Sequence, residues 1–191
     1  MVVAGHSFIR RLRTHLFAEK GPNFNMGLDP AIVDITFLSR GGLTAHSFGN
    51  GMIQRIKNMR PHVVYLELGS NDATNILLSP YDIVNQMSSI ARDLVQAGVQ
   101  RVIFGQILWR DDAGIPWNLP TYNWKVVMVN RAMARVLPNL PGTSYWKHRG
   151  LWNSQYSILI DDGVHLSDVG NHRLFRSIRG AIIQAVPFVN P

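Results

Sequence analysis

Cysteine is absent from the 191 residues of this chain. Its absence excludes a disulfide framework, a thiolate nucleophile and any zinc site with cysteine ligands. Charged residues are also few, at 16%, whereas hydrophobic residues make up 46% of the chain. This balance argues against a disordered chain and predicts a compact globular protein, whose length suits one domain with a full core.

Long apolar runs, targeting patterns and glycosylation sequons are missing as well. No uninterrupted apolar stretch approaches the roughly 20 residues that span a bilayer, and the start of the chain lacks the basic-then-apolar pattern of a signal peptide. Together with the lack of cysteine, these absences favour an intracellular location. Because an apolar strand pattern begins directly after Met1, we expect a single domain over residues 1–191 that is excised from a longer protein.

Negative charge is the scarcer sign, with 12 acidic residues against 19 Lys and Arg and a net charge of +7. This balance favours anionic partners such as nucleic acid or acidic lipid. The candidate surface for RNA or an acidic membrane is the basic segment from Arg10 to Lys20 with Arg55, Lys57 and Arg60. The alternative is an ordinary solvated surface, because the basic residues are spread along the chain. The sequence does not indicate an oligomeric state.

Short apolar runs alternate with longer amphipathic segments along the whole chain. The pattern predicts strands at 2–4, 32–38, 62–68, 101–108 and 143–146, and helices at 8–19, 46–59, 80–97, 122–136 and 167–186. The strand segments are nearly continuous in apolar residues, which is typical of strands buried on both faces. The alternation therefore predicts a parallel sheet covered by helices, with ligands bound beyond the carboxyl ends of its strands.

Four polar segments come directly after predicted strands or after the long loop that follows the last one. They are Gly5-His6-Ser7, 39–44 (SRGGLT), 68–74 (LGSNDAT) and 161–170 (DDGVHLSDVG). Each has an ordinary structural interpretation when taken singly, since glycine, asparagine and aspartate favour turns and serine caps helices. Ser7 is expected to cap the helix that begins at Phe8. The joint occurrence of the four segments nevertheless favours a functional site.

Together these segments supply the catalytic groups of a serine hydrolase. A serine hydroxyl is a weak nucleophile until a base takes its proton, and Ser7 and His165 are the candidates for these two roles. Asp162 lies three residues before His165 and can fold back through a turn at Gly163. Its carboxylate would then accept a hydrogen bond from the other imidazole nitrogen and stabilise the imidazolium.

An oxyanion hole is the second requirement of this chemistry, because the tetrahedral intermediate carries a negative oxygen. The candidate donors are the backbone N–H groups of Ser7 and Gly42 and the side-chain amide of Asn71. The turn around Ser7 is not the nucleophile elbow of the α/β-hydrolase fold. That motif is Gly-x-Ser-x-Gly, and Ile9 stands where the second glycine belongs.

The four segments resemble the conserved blocks of the SGNH hydrolases, also called the GDSL lipase/esterase family. These blocks carry Ser, Gly, Asn and His in that order, matching Ser7, Gly42, Asn71 and His165, and Asp162 matches the third triad member. The resemblance covers residues 2 to about 186 and implies a flavodoxin-like α/β/α sandwich with a five-stranded parallel sheet. It also implies a metal-independent esterase, lipase, thioesterase or deacetylase that acts on a small-molecule or lipid ester without a cofactor.

A narrower resemblance is to the esterase domain in first-open-reading-frame proteins of LINE-type retrotransposons, which package their own RNA. It rests on "GHSF" (5–8) and on the basic, arginine-rich composition. This resemblance carries the alternative function, a non-catalytic or dual-role module that binds RNA or acidic lipid.

Three residues depart from expectation. His6 replaces the aspartate of Gly-Asp-Ser, and Leu43 stands where the second block often has aspartate. His6 is either a neutral hydrogen-bonding replacement, which we favour, or an electrostatic perturbation of the site. Glu67 interrupts an apolar strand; it either faces solvent or a partner, or is a buried acid with a specific mate.

Two long loops, 109–121 and 147–158, are rich in aromatic residues. They and the strand before the second supply Trp109, Trp117, Trp146, Trp152 and Tyr156. Trp109 and Trp152 are candidates for lining an acyl or sugar pocket, and the alternative is that these rings pack the loops onto the sheet. Lys147 and Arg149, with His148 between them, are candidates for contacting an anionic headgroup.

Overall fold

The computed structural model describes residues 1–49, 51–111, 119–152 and 158–186. Within these ranges the chain forms five β-strands and six α-helices. The strands are β1 (Val2–Gly5), β2 (Thr36–Ser39), β3 (Val63–Glu67), β4 (Arg101–Gly105) and β5 (Thr143–Trp146). The helices are α1 (Ser7–Lys20), α2 (Ala45–Gly49), α3 (Met52–Met59), α4 (Pro80–Gln96), α5 (Leu119–Val136) and α6 (Asp168–Ala185), with short 3₁₀ helices at Asp72–Thr74 and Leu137–Asn139.

The five strands form one parallel sheet in the order β2-β1-β3-β4-β5. This is the flavodoxin-like order, in which the chain reverses direction across the sheet between β1 and β3. Gly5 at the end of β1 pairs with Ser39 of β2 on one side and with Glu67 of β3 on the other. The predicted fold class is therefore confirmed, and the ends of β1, β2 and β3 lie side by side.

The sheet is buried on both faces, which explains the Val- and Ile-rich strands. Val3, Tyr65 and Ile103 belong to the core that α1 and α6 cover. Their strand neighbours, such as Ala4 and Phe104, belong to a second core that α2, α3, α4 and α5 cover. Because successive strand residues face opposite sides, each strand contributes to both cores, and the molecule has three layers.

Helix α4 shows how closely local sequence determines an element. Ser79 accepts a hydrogen bond from the Asp82 N–H, and the Asp82 carboxylate accepts one from the Ser79 N–H, which completes a capping box. Pro80 occupies the first turn, where a missing N–H costs nothing. At the other end Gly98 adopts φ +96°. The predicted span of 80–97 is correct to one residue.

Several predicted boundaries are wrong. The helix expected over 46–59 is two helices, because the glycine-containing stretch between α2 and α3 interrupts it. The strand expected over 32–38 begins only at Thr36, since the Asn25 side chain bonds the backbone of Leu28, Val33 and Ile35 and holds that stretch as turns. The strand expected over 101–108 ends at Gly105. Among the described residues, no helix has both the length and the apolarity to cross a bilayer.

Candidate active site

The turn that presents Ser7 joins β1 directly to α1. Gly5 ends the strand where a Cβ atom would meet the Glu67 carbonyl oxygen at 2.5 Å, so glycine is required by this close approach. The predicted capping role of Ser7 is wrong: His6 is the N-cap, and its Nδ1 accepts a hydrogen bond from the Phe8 N–H at 3.4 Å. Ser7 is instead the first residue of the helix, and its hydroxyl is left for other partners.

Ser7, His165 and Asp162 lie in a hydrogen-bonded row. His165 Nε2 lies 3.1 Å from Ser7 Oγ, and His165 Nδ1 lies 2.7 Å from Asp162 Oδ2. An ionised carboxylate can only accept hydrogen bonds, so Nδ1 carries the proton of the neutral ring and Nε2 is free to accept one from the Ser7 hydroxyl. The arrangement is that of a nucleophile, a base and an orienting acid.

Asp162 is held by its own turn. Its Oδ1 accepts backbone hydrogen bonds from Val164 at 2.9 Å and from His165 at 2.8 Å. The turn passes through Gly163, whose φ of +63° lies in the region that favours glycine. Partial burial raises the pKa of Asp162, but the hydrogen bonds from His165 and Val164 outweigh it and lower the pKa to about 2. Asp162 is therefore an anion at every pH of interest.

The three candidate oxyanion donors lie at the same edge of the sheet. Among the described residues, neither the Ser7 N–H nor the Gly42 N–H donates to a backbone or side-chain acceptor. Gly42 adopts φ +69°, and a Cβ atom there would meet nothing within 4 Å. Asn71 Nδ2 donates one hydrogen to the Leu43 carbonyl at 3.0 Å, which leaves its second hydrogen for a ligand.

Asp72 joins the two loops that carry these donors. Its buried carboxylate accepts the Ala45 N–H at 2.9 and 3.1 Å, at the start of α2. Burial raises the pKa of Asp72, while the backbone hydrogen bonds and Lys125 oppose that shift. No role was predicted for Asp72 from the sequence, and this link, which holds the Gly42 loop against the Asn71 loop, was not anticipated.

Arg110 is a site residue that the sequence interpretation missed. Its side chain is 7% exposed, and Nη2 donates to Ser70 Oγ at 2.9 Å and to Asn71 Oδ1 at 3.3 Å. The guanidinium also lies over the Tyr122 ring, 4.9 Å from its centroid. Because Arg110 takes the Asn71 oxygen, the Asn71 NH₂ group must point the other way. The available indication was an arginine closing the otherwise uncharged run 102–109.

His6 is buried and neutral. It is 2% exposed, and burial lowers its pKa to about 4, with Glu67 opposing the shift and Arg110 and His165 adding to it. At neutral pH the ring therefore acts as an uncharged hydrogen-bonding replacement for the family aspartate, which is the alternative we favoured. Its Nδ1 accepts a hydrogen bond from the Phe8 N–H, as a carboxylate oxygen does at an N-cap.

This burial predicts an acid-sensitive fold. Below an ordinary histidine pKa of about 6.5 the unfolded chain binds a proton at residue 6, whereas the folded chain does so only near pH 4. Between these values the unfolded state binds more protons, so the free energy of unfolding falls as the pH falls, by about 3 kcal/mol in total. Urea unfolding at a series of pH values measures this drop in the free energy of unfolding. In His6→Asn the drop should be smaller than in the wild type by about 3 kcal/mol. An identical pH dependence in both proteins would contradict it.

Glu67 is a buried acid with specific mates. Its Oε2 accepts the Tyr65 hydroxyl at 2.7 Å and lies 3.3 Å from His148 Nε2. Burial and the Glu67 carboxylate raise the pKa of Tyr65 well above its ordinary value, so Tyr65 is the donor. His148 is 1% exposed. The expectation that it meets an anionic headgroup beside Lys147 and Arg149 is therefore wrong.

The residues predicted to contact substrate do not gather in one place. Trp109 packs against the core under α1 and α6. Lys147 and Trp152 line one cavity near β5, and Lys147 and Arg149 line a second; neither lining includes Ser7, Asp162 or His165. Their contact with substrate stays a prediction. Trp117 and Tyr156 lie outside the described residues.

The basic residues predicted to bind RNA or acidic lipid fall into two groups. Arg10 to Lys20 belong to α1, and Arg55 and Lys57 belong to α3, with Arg60 just beyond it. The two helices cover opposite faces of the sheet. The fold therefore does not place both groups on a single flat surface. Partner binding and the retrotransposon resemblance stay predictions.

Comparison with known proteins rests on structure. No model of a known protein family matches the chain, and no curated protein matches it. Several solved structures, in contrast, are similar to this chain. A carbohydrate esterase family 3 protein from Talaromyces cellulolyticus is 16% identical, with a TM-score of 0.70 over 100% of both chains. A GDSL-like lipase from Bacteroides thetaiotaomicron is 18% identical, with a TM-score of 0.72 over 96% of this chain and 87% of that one. A lipase/acylhydrolase from Enterococcus faecalis is 17% identical, with a TM-score of 0.65 over 95% and 94%.

These likenesses extend over almost the whole chain, and at such identities they establish the architecture. The chain has the three-layer α/β/α fold of the SGNH, or GDSL-like, hydrolases. Within that fold, Ser7, Gly42, Asn71 and His165 stand at the carboxyl edge of the sheet in the order that the sequence blocks predict.

Proposed function

We propose that this chain is a carboxylic ester hydrolase that works through a covalent acyl-serine intermediate. The observation that carries the proposal is the row of two hydrogen bonds, 3.1 Å from Ser7 Oγ to His165 Nε2 and 2.7 Å from His165 Nδ1 to Asp162 Oδ2. Further support comes from the ester-cleaving activities named for the structures that share the fold: a carbohydrate esterase, a lipase and an acylhydrolase.

The first half of the reaction transfers the acyl group to the protein. Ser7 Oγ attacks the ester carbonyl carbon while its proton passes to His165 Nε2. The Ser7 and Gly42 N–H groups and the Asn71 amide stabilise the resulting oxyanion. When the tetrahedral intermediate collapses, the bond to the alcohol oxygen breaks, and His165 returns the proton to that oxygen. The anionic Asp162 stabilises the imidazolium in between.

The second half releases the acid. A water molecule gives a proton to His165 and attacks the acyl carbon, and the same three donors stabilise the second tetrahedral intermediate. Ser7 Oγ then leaves and recovers the proton from His165. The products are a carboxylic acid and an alcohol, and the protein returns to its starting protonation. Each step uses only groups that the site already holds.

The test combines turnover with covalent labelling. Purified protein should hydrolyse p-nitrophenyl acetate, and a series of p-nitrophenyl esters of increasing acyl length should define the acyl group that it prefers. A fluorophosphonate should inactivate the protein and modify Ser7, which peptide mapping by mass spectrometry locates. Absence of hydrolysis across the whole series together with an unlabelled Ser7 would overturn the proposal.

A further inference from the structure

A strongly basic cavity of about 550 Å³ opens between the edge strand β5 and α6. Four cationic side chains line it together with an indole, a hydroxyl, an amide and two glycines: Lys147, Arg149, Arg173, Arg176, Trp146, Ser177, Gln184, Gly150 and Gly180. β1, whose end leads directly into the turn before Ser7, lies three strand positions away from β5. At the usual spacing between strands this is about 14 Å, so the cavity is separate from the ester site.

The lining of this cavity carries positive charge and no negative charge. No acidic residue lines it, and the chain carries none from 113 to 160. In the part of the chain that the structure describes, Lys147, Arg149 and Arg176 form no ion pair. Gathering four like charges around one cavity raises their mutual repulsion, and an anion bound among them would relieve it.

Two half-buried side chains of the cavity lining, Trp146 and Ser177, are hydrogen-bonded to each other and to the buried His148. Ser177 Oγ accepts the Trp146 indole N–H at 3.0 Å and lies 2.8 Å from His148 Nδ1. His148 is fixed in turn by Glu67 and Tyr65, at 3.3 and 3.2 Å from its Nε2. This network holds the hydroxyl and the indole at set positions.

Arg173 is also oriented in advance. Its Nη1 donates to the Gly150 carbonyl at 2.9 Å, which ties α6 to the loop that follows β5. The Trp146 ring packs against α6 at Gly180, where an added Cβ atom would lie 3.4 Å from it. Arg173 is therefore held in place before a ligand binds, which lowers its share of the entropy cost of binding.

The donor set favours phosphate over other anions. Arginine presents its N–H groups as a planar fork that matches two phosphate oxygens, and lysine adds a point charge. Three arginines and one lysine exceed what a single carboxylate needs, and they match a group with three or more oxygens and a charge near −2. We propose that this cavity binds the phosphate group of a phosphorylated ligand, either a lipid headgroup or a soluble phosphate ester.

The primary test titrates inorganic phosphate into the full chain at constant ionic strength, with chloride as the compensating anion. Tryptophan fluorescence, to which Trp146 in the cavity lining contributes, reports occupancy, and calorimetry gives the affinity. The variant Arg149→Gln/Arg176→Gln should bind phosphate about a hundredfold more weakly, since each charge-assisted contact is worth roughly tenfold or more. The matched control Arg55→Gln/Arg60→Gln removes the same charge near α3 and should bind as the wild type does. Thermal melts confirm that both variants fold.

A second arm distinguishes the two sources of the phosphate. Vesicles of phosphatidylcholine with phosphatidic acid should bind the protein and be displaced by inorganic phosphate if a lipid supplies the group. Phosphate binding without vesicle binding would assign a soluble ligand, and both results support the cavity as a phosphate site. Equal phosphate affinity in the two double variants, or no binding beyond that of chloride, would overturn it. Because the readout is binding, such a failure leaves the ester hydrolase proposal untouched.

Discussion

Replacing Ser7 by alanine should lower kcat for p-nitrophenyl acetate by roughly 10⁴- to 10⁶-fold, the range seen when a triad nucleophile is removed from a serine hydrolase. The hydroxyl forms the only covalent bond to the acyl group in the proposed mechanism, and no other described hydroxyl lies against His165 Nε2. The residual rate of the variant should come from the oxyanion donors and from substrate binding, which do not need the Ser7 hydroxyl.

The fold should tolerate this change. Alanine retains the Cβ atom and suits the first turn of a helix, and the cap on α1 comes from His6 rather than from Ser7. Ser88→Ala is the matched control, because it removes a serine hydroxyl that bonds only the Val84 carbonyl within α4. Initial rates of both variants measure the loss of activity, and thermal melts show whether both variants are folded. A Ser7→Ala protein that hydrolyses at the rate of the control would remove Ser7 from the mechanism.

The hydrogen-bonded row of Ser7, His165 and Asp162 could be anticipated because much of its arrangement is local or topological. Asp162 and His165 share one turn, so a spacing of three residues with a glycine between them already predicts their contact. Ser7 lies 158 positions from His165. Their meeting follows from the rule that ligand sites lie at the carboxyl ends of parallel strands, together with the resemblance of the sequence blocks.

Side-chain contacts between distant segments could not be anticipated in the same way. The alternation of β3 places Tyr65 and Glu67 on one face, so their pairing was open to prediction. His148, however, lies 81 positions from Glu67 and 83 from Tyr65. The Asn25 side chain, which delays the start of β2, bonds backbone up to ten positions away. Nothing in composition or periodicity specifies a partner at such distances.

The capping error at Ser7 has a different origin. Serine is a favoured N-cap and histidine is not, so N-cap propensity alone predicts Ser7, whereas the observed cap is His6. Burial decides the outcome, since it keeps the His6 ring neutral and leaves its Nδ1 lone pair available for the Phe8 N–H. The tertiary environment has overridden a local preference by one position, and the Ser7 hydroxyl is therefore not used as the cap of α1.

Replacing Asn71 by alanine should lower kcat by roughly 10²- to 10³-fold, the usual cost of one oxyanion donor. KM should change little, because the contact strengthens only as the oxyanion forms. Asn71 Nδ2 also bonds the Leu43 carbonyl, so a thermal melt must accompany the rates. A drop in kcat of less than about threefold in a folded Asn71→Ala protein would remove the amide from the oxyanion hole.

Arg110 provides a sharper test of the same hole, because we expect it to affect the oxyanion through its contact with Asn71. Arg110→Met removes the donor to Asn71 Oδ1 at 3.3 Å, while Ser70 keeps its contact with the Tyr122 hydroxyl at 3.1 Å. An amide without that anchor can turn its oxygen toward the oxyanion, so we expect kcat to fall about tenfold, within the roughly 10²- to 10³-fold worth of the donor itself. In the Asn71→Ala background the Arg110→Met change should cost nothing further, since coupled residues are non-additive. Additive losses in this cycle would show that Arg110 supports the fold or the substrate by another route.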